Sequence, residues 1–265
     1  MNRWCVIGML LMVTGCSTVP TKFTPNNPIH PSEFSHALFG QVLEAHVKAG
    51  FVDYPGIQAD SRFTTYLAQL ERVAPDRLRT RHEQLAFWVN AYNAFAVKGI
   101  VDQYSPRSLI GRYWYFIGRD YRIGGTTLNL YDLERQVLIK QFQEPLIHFA
   151  IVCASVSCPK LQSSAYQPEQ LERQLERAAR DFINDPARNR FDRKQKIASV
   201  SKIFHWFEAD FVAAAGSILA YVARYVDDPI LANELRRAGY RVEFLDYDWS
   251  LNGAPPKEVA DAGAP

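Results

Sequence analysis

The spacing of apolar residues predicts a chain that is mostly helical. Apolar side chains recur every three or four positions in the ranges 32–50, 61–73 and 168–184, and shorter helical stretches follow between 205 and 238. The range 83–104 is apolar on nearly all sides, which predicts a central buried helix. Polar side chains in that helix are therefore costly to bury unless they find partners.

Other stretches break the helical period and predict strands. Aromatic and β-branched residues cluster in 112–130 around Gly118 and again around Gly124 and Gly125, as in a hairpin or a short meander. Strands are also predicted at 147–152, 197–200 and 240–245. The strands neither alternate regularly with helices nor follow one another. We therefore expect an α+β fold, a helix-rich single domain with a small, mainly antiparallel sheet.

The first fifteen residues predict an export signal. A positive charge at Arg3 precedes an apolar stretch, 4–13, which is too short to span a membrane. Val13-Thr14-Gly15-Cys16 resembles a bacterial lipoprotein box, in which the cysteine is acylated, for example with palmitate, and becomes the N-terminus. We expect residues 1–15 to be a signal peptide and Cys16 a lipid anchor to the bacterial envelope, on the periplasmic face of the outer membrane. The alternative is a plain secretory signal with an incidental cysteine.

The rest of the chain divides into three parts. Residues 16–31 hold four prolines and little periodicity, which predicts an extended tether. Residues 32–252 are predicted to form a single globular domain, and 253–265 a flexible tail. Removing the signal takes away only Arg3 of the 30 basic residues, against 28 acidic ones. Because a surface so balanced has no strong long-range field, we predict no nucleic-acid partner.

Two thiols remain in the mature domain, Cys153 and Cys158 in HFAIVCASVSCPKL. In an oxidising compartment, a turn between them allows a disulfide. Alternatively, one thiol is a nucleophile whose pKa is lowered by a helix N-terminus, a cation or a histidine. A metal site needs two more ligands, and only His148 and His205 offer themselves, at a spacing unlike known zinc motifs. We predict neither a metal nor a cofactor.

The predicted strand argues against a direct contact between His148 and Cys153. Five residues of a straight strand rise about 16 Å, and an odd separation places two side chains on opposite faces. A catalytic His148 would then serve a group from another element, or the strand would bend before Cys153. The structural alternative is a core histidine that is satisfied by two hydrogen bonds.

Three further polar residues are candidates for the site. Asn90 and Asn93 lie three residues apart on one side of the central helix. They either bridge this helix to a neighbouring loop or strand, or they orient a catalytic group or bind a substrate amide. Glu134 follows a capping arrangement that begins at Asn129, and it is either a solvated helix residue or an acid of the site.

Five motifs in order resemble the family called domain of unknown function 547, over roughly residues 34–252: QLAFWVNAYNAF, LNLYDLERQVL, HFAIVCASVSCPKL, SKIFHWFEADF and YDWSLN. The resemblance implies that the site is formed by Asn90, Asn93, Glu134, His148 and Cys153. The histidine that usually follows the acid in this family is replaced by Arg135. In plant relatives serine can replace the second cysteine, so the resemblance implies that a disulfide is not obligatory and that Cys153 is the better candidate for a direct role.

The order of a buried helix and a later strand that begins with histidine is similar to papain-like and transglutaminase-like cysteine enzymes. In those folds the nucleophile lies at the start of the helix, whereas the central helix here has no cysteine. We hypothesise an envelope lipoprotein that is a cysteine-dependent hydrolase or acyl or peptidyl transferase. Cys153 would be its nucleophile, acting on a peptide-like or small-molecule ligand, and His148 its base or the partner of its base. The alternative is a non-catalytic binding or scaffold module with a structural Cys153–Cys158 disulfide.

Overall fold

The described part of the chain, residues 19–237 and 239–253 of a computed structural model, is helix-rich and carries three small sheets. This is the α+β class that the apolar pattern predicts. The predicted signal peptide, the Cys16 anchor and residues 254–265 of the predicted tail lie outside the described residues. Among the residues that are described, no helix has both the length and the apolar character needed to cross a membrane.

The helices are α1 (Ala37–His46), α2 (Tyr54–Ala59), α3 (Ser61–Arg72), α4 (Arg81–Val101), α5 (Leu109–Phe116), α6 (Leu130–Asp132), α7 (Lys140–Phe142), α8 (Ile147–Ala150), α9 (Leu171–Ile183), α10 (Lys202–Trp206), α11 (Glu208–Ala215), α12 (Ile218–Val222) and α13 (Pro229–Arg236). A π-helical segment, Leu133–Ile139, joins α6 to α7. Short 3-10 turns lie at Pro31–Glu33, Pro75–Arg77 and Pro168–Gln170. The strands are β1 (Val47–Lys48), β2 (Phe51–Val52), β3 (Tyr121–Ile123), β4 (Thr126–Leu128), β5 (Arg190–Asp192), β6 (Ile197–Val200) and β7 (Arg241–Phe244).

The strands pair mainly antiparallel, as predicted, but in three separate sheets. β1 pairs with β2, β3 with β4 and β5 with β6, all antiparallel. β7 returns from the end of the chain and pairs with β6 in parallel. This last pairing brings the segment after Phe244 back towards the middle of the chain, where the candidate residues lie.

Helix α4 is the central buried element, as its apolar sequence predicts. It begins with a capping box, in which Thr80 Oγ1 accepts a hydrogen bond from Glu83 N and the Glu83 carboxylate accepts one from Thr80 N. Between Leu85 and Ile100 every side chain except that of Lys98 is buried. Helices that are apolar all round lie inside a core because no face favours water.

The buried side chains form two clusters, and α8 lies between them. Ile147 and Ala150 of α8 belong to the larger cluster around α4. Phe149 belongs to the second cluster, where its ring lies 5.3 Å from that of Phe182 and 5.8 Å from that of Phe211. Opposite faces of one short helix therefore join the two halves of the core.

The predicted strand at 147–152 is wrong. Ile147–Ala150 forms α8, and the chain becomes extended only after Ala150. A short apolar run has no periodicity that separates a buried helical turn from a buried strand, and here both core clusters take up its side chains. His148 and Cys153 therefore do not lie on opposite faces of a strand.

Two other element boundaries differ from the prediction. The first helix begins at Ala37 rather than at Ser32, because a separate 3-10 turn precedes it. The aromatic segment 112–130 is helical in its first part, where α5 ends at Phe116. Its second part is the predicted hairpin, β3 and β4, and both glycines of the turn have positive φ angles, 59° and 81°.

Residues 19–31 pack on the domain instead of forming the predicted extended tether. Phe23 is only 6% exposed, and its ring lies 5.7 Å from that of Trp88. Ile29 N donates to the carbonyl oxygen of Arg72 at the end of α3. One buried aromatic side chain is enough to dock this proline-rich segment, and the composition of the segment does not reveal it.

Candidate functional site

A cavity of about 190 Å³ brings together residues that are far apart in the chain. Four predicted site residues line it, Glu134, His148, Cys153 and Cys158. Its other walls are mostly apolar and aromatic, and they include Tyr92, Phe116, Tyr131, Trp206, Phe207, Tyr247 and Trp249. A larger groove of about 610 Å³ along α9 is lined by charged side chains and contains none of the predicted site residues. The smaller cavity is the candidate site.

A tight turn positions the two thiols. Ala154 has a φ of 60°, a left-handed conformation that residues other than glycine rarely adopt. Cys158 N donates to the carbonyl oxygen of Ser155 and closes the turn. The Sγ atoms of Cys153 and Cys158 lie 2.6 Å apart, and both residues are free cysteines. The turn thus presents a pair of adjacent thiols to the cavity.

Hydrogen bonds favour the thiolate form of Cys153. Its sulfur lies 3.2 Å from Ser155 Oγ and 3.1 Å from the Tyr247 hydroxyl, and the Cys158 thiol is its third neighbour. Burial raises the pKa of the Cys153 thiol, but its hydrogen-bonding contacts with Cys158, Ser155 and Tyr247 outweigh burial and lower this pKa below its ordinary value. Burial and the neighbouring Cys153 raise the pKa of the Cys158 thiol well above its ordinary value. Of the pair, Cys153 is the thiol that loses its proton more readily.

His148 forms a dyad with Asp210. The imidazole is 3% exposed and stacks on the ring of Phe207 with centroids 3.9 Å apart. His148 Nε2 lies 2.7 Å from Asp210 Oδ2, and this hydrogen bond lowers the pKa of the Asp210 carboxyl. His148 Nδ1 is buried and has no hydrogen-bond partner in the described part of the chain. Because a carboxylate accepts from Nε2–H, Nδ1 carries the lone pair and is the basic nitrogen.

Glu134 and Arg135 lie on the π-helical segment, a distortion that is frequent at functional sites. Glu134 Oε2 accepts a hydrogen bond of 3.1 Å from the Tyr92 hydroxyl. Burial raises the pKa of the Glu134 carboxyl, and Arg135, His148 and the bond from Tyr92 oppose this rise. The guanidinium of Arg135 lies 4.6 Å over the ring of Phe207. Glu134 is therefore a mostly buried acid of the cavity wall and not a solvated helix residue.

Asn90 and Asn93 do not line the cavity. Each side-chain amide pairs twice with a stretch of backbone: Asn90 with N and O of Tyr166, and Asn93 with Ala150 O and Val152 N, at 2.8–3.0 Å. Buried amides are stable when all their polar atoms are paired in this way. Both asparagines therefore bridge α4 to neighbouring segments, which is the structural one of the two predicted roles, and neither lines the cavity.

No group of three or more histidine, cysteine, aspartate or glutamate side chains within residues 19–237 and 239–253 is arranged to hold a metal ion. His205, one of the ligands considered from the sequence, lies with its ring 4.8 Å from that of Phe244. It is not among the residues that line the cavity. The ionisable side chains that line the cavity include the Cys153 thiol, the His148 imidazole and the Glu134 carboxylate.

Three residues of the site are not predicted from the sequence: Ser155, Asp210 and Tyr247. Asp210 lies 62 positions from His148, and Tyr247 lies 94 positions from Cys153. The sequence does hint at two of them, because Asp210 lies in SKIFHWFEADF and Tyr247 in YDWSLN, two of the motifs on which the family resemblance rests. Pairings over such separations depend on the fold, which no local pattern encodes.

Residues 75–183 match the model of the family described as "Protein of unknown function, DUF547". This match supports membership of the DUF547 family. The matched range contains every predicted site residue of the domain but ends before Asp210 and Tyr247. No curated protein and no solved structure gives a significant match to the chain. The similarity to papain-like and transglutaminase-like folds therefore stays a prediction.

Proposed function

We propose that the cavity is a cysteine-dependent acyl-transfer site that hydrolyses or transfers an acyl or peptide-like group. One observation carries the proposal: a partly exposed thiol with a lowered pKa lines the same cavity as an imidazole whose buried Nδ1 has no partner among the described residues. An unpaired buried nitrogen is costly in a folded protein unless it has a function or binds a missing partner. A substrate or a water molecule in the cavity would be that partner.

The first step acylates Cys153. The Cys153 sulfur forms a bond to the carbonyl carbon, and the bond from that carbon to the leaving group breaks, which gives a thioester. The proton of the Cys153 thiol passes through His148 Nδ1 to the leaving group. The sulfur and Nδ1 make no hydrogen bond to each other in the structure, so the transfer runs through the bound substrate or a water molecule.

The second step releases the acyl group. Water attacks the thioester carbon while its proton moves to His148 Nδ1, the carbon–sulfur bond breaks, and the proton returns to the sulfur. An amine or alcohol in place of water makes the same site a transferase. Asp210 holds the imidazole in the tautomer that leaves Nδ1 unprotonated, and it stabilises the imidazolium that forms in each step.

The mostly apolar walls favour an acyl group or side chain that is itself apolar or aromatic. Burial of such a group against rings such as Trp206 and Trp249 supplies binding energy at about 25 cal/mol per Å² of apolar surface. Arg135 lines the cavity and lies over Phe207, so its charge would stabilise the negative charge that develops on the carbonyl oxygen during the reaction.

We also propose that the protein is an envelope lipoprotein that is anchored through Cys16. The support is the sequence of residues 1–16. Metabolic labelling with an alkyne analogue of palmitate is expected to mark the chain and to fail in Cys16→Ser. Labelling that persists in Cys16→Ser would contradict the assignment of the anchor.

The second candidate is a binding or scaffold module in which the thiols form a disulfide. It is favoured by the 2.6 Å approach of Cys153 Sγ to Cys158 Sγ and by the complete pairing of Asn90 and Asn93 with backbone. In this case the cavity binds a ligand without chemistry, and Cys153 is expected to be inert to acylating reagents.

Acylation of the native, reduced protein by p-nitrophenyl acetate separates the two candidates. We expect a burst of p-nitrophenol and an acetyl group on the peptide that contains Cys153, identified by mass spectrometry. Cys153→Ala should lose both, whereas the neighbouring Cys158→Ser should keep them. Absence of acetylation in the folded wild-type protein would end the acyl-transfer proposal.

A further inference from the structure

Helix α5 exposes an unusual amount of apolar surface. Leu109 is 77% exposed, Ile110 74%, Tyr113 and Trp114 each 50%, and Ile117 43%. We call these five residues the α5 face. Scattered exposed apolar residues are normal on soluble proteins, but a contiguous group of this size marks an interaction surface.

The α5 face is held in place by the rest of the helix. Ser108 caps the N-terminus by accepting a hydrogen bond from Gly111 N. Tyr115, on the opposite side, is fully buried and donates a hydrogen bond of 2.9 Å to the carbonyl oxygen of Ala96 in α4. The apolar residues are therefore exposed by a fixed helix and not by a frayed segment.

Positive charge accompanies this face. The range 105–119 contains three arginines and no acidic residue. Arg119 pairs with Asp102, whereas Arg107 and Arg112 form no ion pair with the described residues. Arg112 lies 4.6 Å over the ring of Trp249. Two guanidinium groups without an acidic partner thus border the exposed apolar residues, although the protein as a whole is nearly neutral.

This composition fits a lipid surface. Tryptophan and tyrosine settle at the level of the headgroups, leucine and isoleucine enter the outer part of the acyl region, and arginine pairs with anionic headgroups. An anionic bilayer is complementary in charge to Arg107 and Arg112, which have no acidic partner among the described residues.

We propose that the α5 face rests on the surface of an anionic phospholipid bilayer and inserts Leu109, Ile110 and Trp114 at the level of the headgroups. The strength of such a contact grows with the buried apolar area and with the negative charge of the lipids. The proposal goes beyond acyl transfer, because it does not depend on the reactivity of Cys153.

Quenching by brominated lipids tests the contact directly. The full chain is mixed with phosphatidylcholine/phosphatidylglycerol vesicles that carry brominated acyl chains, and tryptophan emission is compared in wild type, Trp114→Phe and Trp88→Phe. Trp88 is the matched control, because it is 4% exposed inside the core. We expect a quenched component that Trp114→Phe removes and Trp88→Phe retains. Equal quenching in all three proteins would overturn the proposal.

Vesicle flotation supplies a second measurement that does not rely on tryptophan. All variants carry Cys16→Ser, so that no acyl chain contributes. We expect the double variant Leu109→Ser with Ile110→Ser to bind the same vesicles at least tenfold more weakly. Ile230→Ser is the control, because Ile230 is an isoleucine of α13 that is 62% exposed, and we expect this variant to bind as the parent does. Unchanged flotation of the double variant would refute the contact.

Size-exclusion chromatography of the same variants addresses the other occupant, a second copy of the chain. A dimer that the double variant abolishes would assign the α5 face to self-association and overturn the lipid proposal. Acetylation of Cys153 is measured in parallel, and we expect it to be unchanged in the double variant. Failure at α5 is thereby distinguishable from failure of the acyl-transfer site.

Discussion

Replacing Tyr247 with phenylalanine tests how the reactive thiol is tuned. The Tyr247 hydroxyl lies 3.1 Å from Cys153 Sγ and 3.1 Å from Ser155 Oγ, so the three groups form a closed triangle. Ser155 donates to the tyrosine oxygen, and the tyrosine hydroxyl is then free to donate to the sulfur. The variant removes this donor and keeps the aromatic ring, which packs 4.7 Å from the rings of Trp206 and Trp249.

The expected change is a higher pKa of Cys153. A hydrogen bond to a charged group contributes about 1.5–3 kcal/mol, and about 1.4 kcal/mol corresponds to one pKa unit. Cys158 remains as a donor, and Ser155 loses its partner and can donate to the sulfur instead. Because this rearrangement offsets part of the loss, we expect the pKa of Cys153 to rise by about one unit.

The measurement is the rate of alkylation by iodoacetamide across pH, followed by mass spectrometry on the peptide that contains Cys153. Well below the midpoint, Tyr247→Phe should react about tenfold more slowly than wild type, and well above it the two should react alike. Tyr131→Phe is the matched control, because Tyr131 lines the same cavity but makes no hydrogen bond to the sulfur. A profile of Tyr247→Phe that coincides with wild type, or that moves to lower pH, would refute the assigned donor.

Three further outcomes are expected. Asp210→Asn should lower the steady-state turnover of p-nitrophenyl acetate about 10²-fold or more, because asparagine lacks the negative charge that fixes the tautomer of His148 and stabilises its imidazolium; full turnover would remove Asp210 from the mechanism. Glutathione disulfide should oxidise wild type to a Cys153–Cys158 disulfide, whereas Cys158→Ser should carry glutathione on Cys153, and peptide masses distinguish the two products. A wild-type protein that stays unmodified would contradict the proximity of the two thiols. Asn93→Ala should reduce the free energy of unfolding in urea by about 2–4 kcal/mol, because two buried backbone groups lose their partners; a loss below about 0.5 kcal/mol, the level of an ordinary surface substitution, would argue against this bridge.

The fold class and the central helix follow from the sequence because their signals are long or locally complete. Helix α4 shows an apolar pattern over six turns, and the hairpin β3–β4 carries two glycines at the positions that need positive φ. The segment 147–152 offers only six apolar residues. Its choice of a helical turn depends on two core clusters that are assembled from distant parts of the chain, so no local period reveals it.

The candidate site is also predictable only in part, because residue types and motifs are local whereas the pairing of side chains depends on the fold. Cys153, His148 and Glu134 are identified by residue type and motif, and the structure brings all three to one cavity. The partner of the imidazole is Asp210, which lies on a helix of the second core cluster. The sequence contains many acidic residues, and nothing in the local pattern singles out Asp210. In the structure His148 stacks on Phe207, one turn before Asp210, and this contact brings the carboxylate to the imidazole.

Asn93 shows how a residue outside the cavity can position residues that line it. The last carbonyl groups of a helix lack partners within the helix, and Ala150, the final residue of α8, meets this need by accepting from Asn93 Nδ2. Asn93 Oδ1 accepts from Val152 N on the extended side of the same boundary. One side chain of the central helix therefore both ends α8 and fixes the direction in which the chain leaves it, towards Cys153. The energy cost of burying that amide is offset by these two bonds, and the position of the sulfur relative to His148, on the other side of the boundary, depends on them.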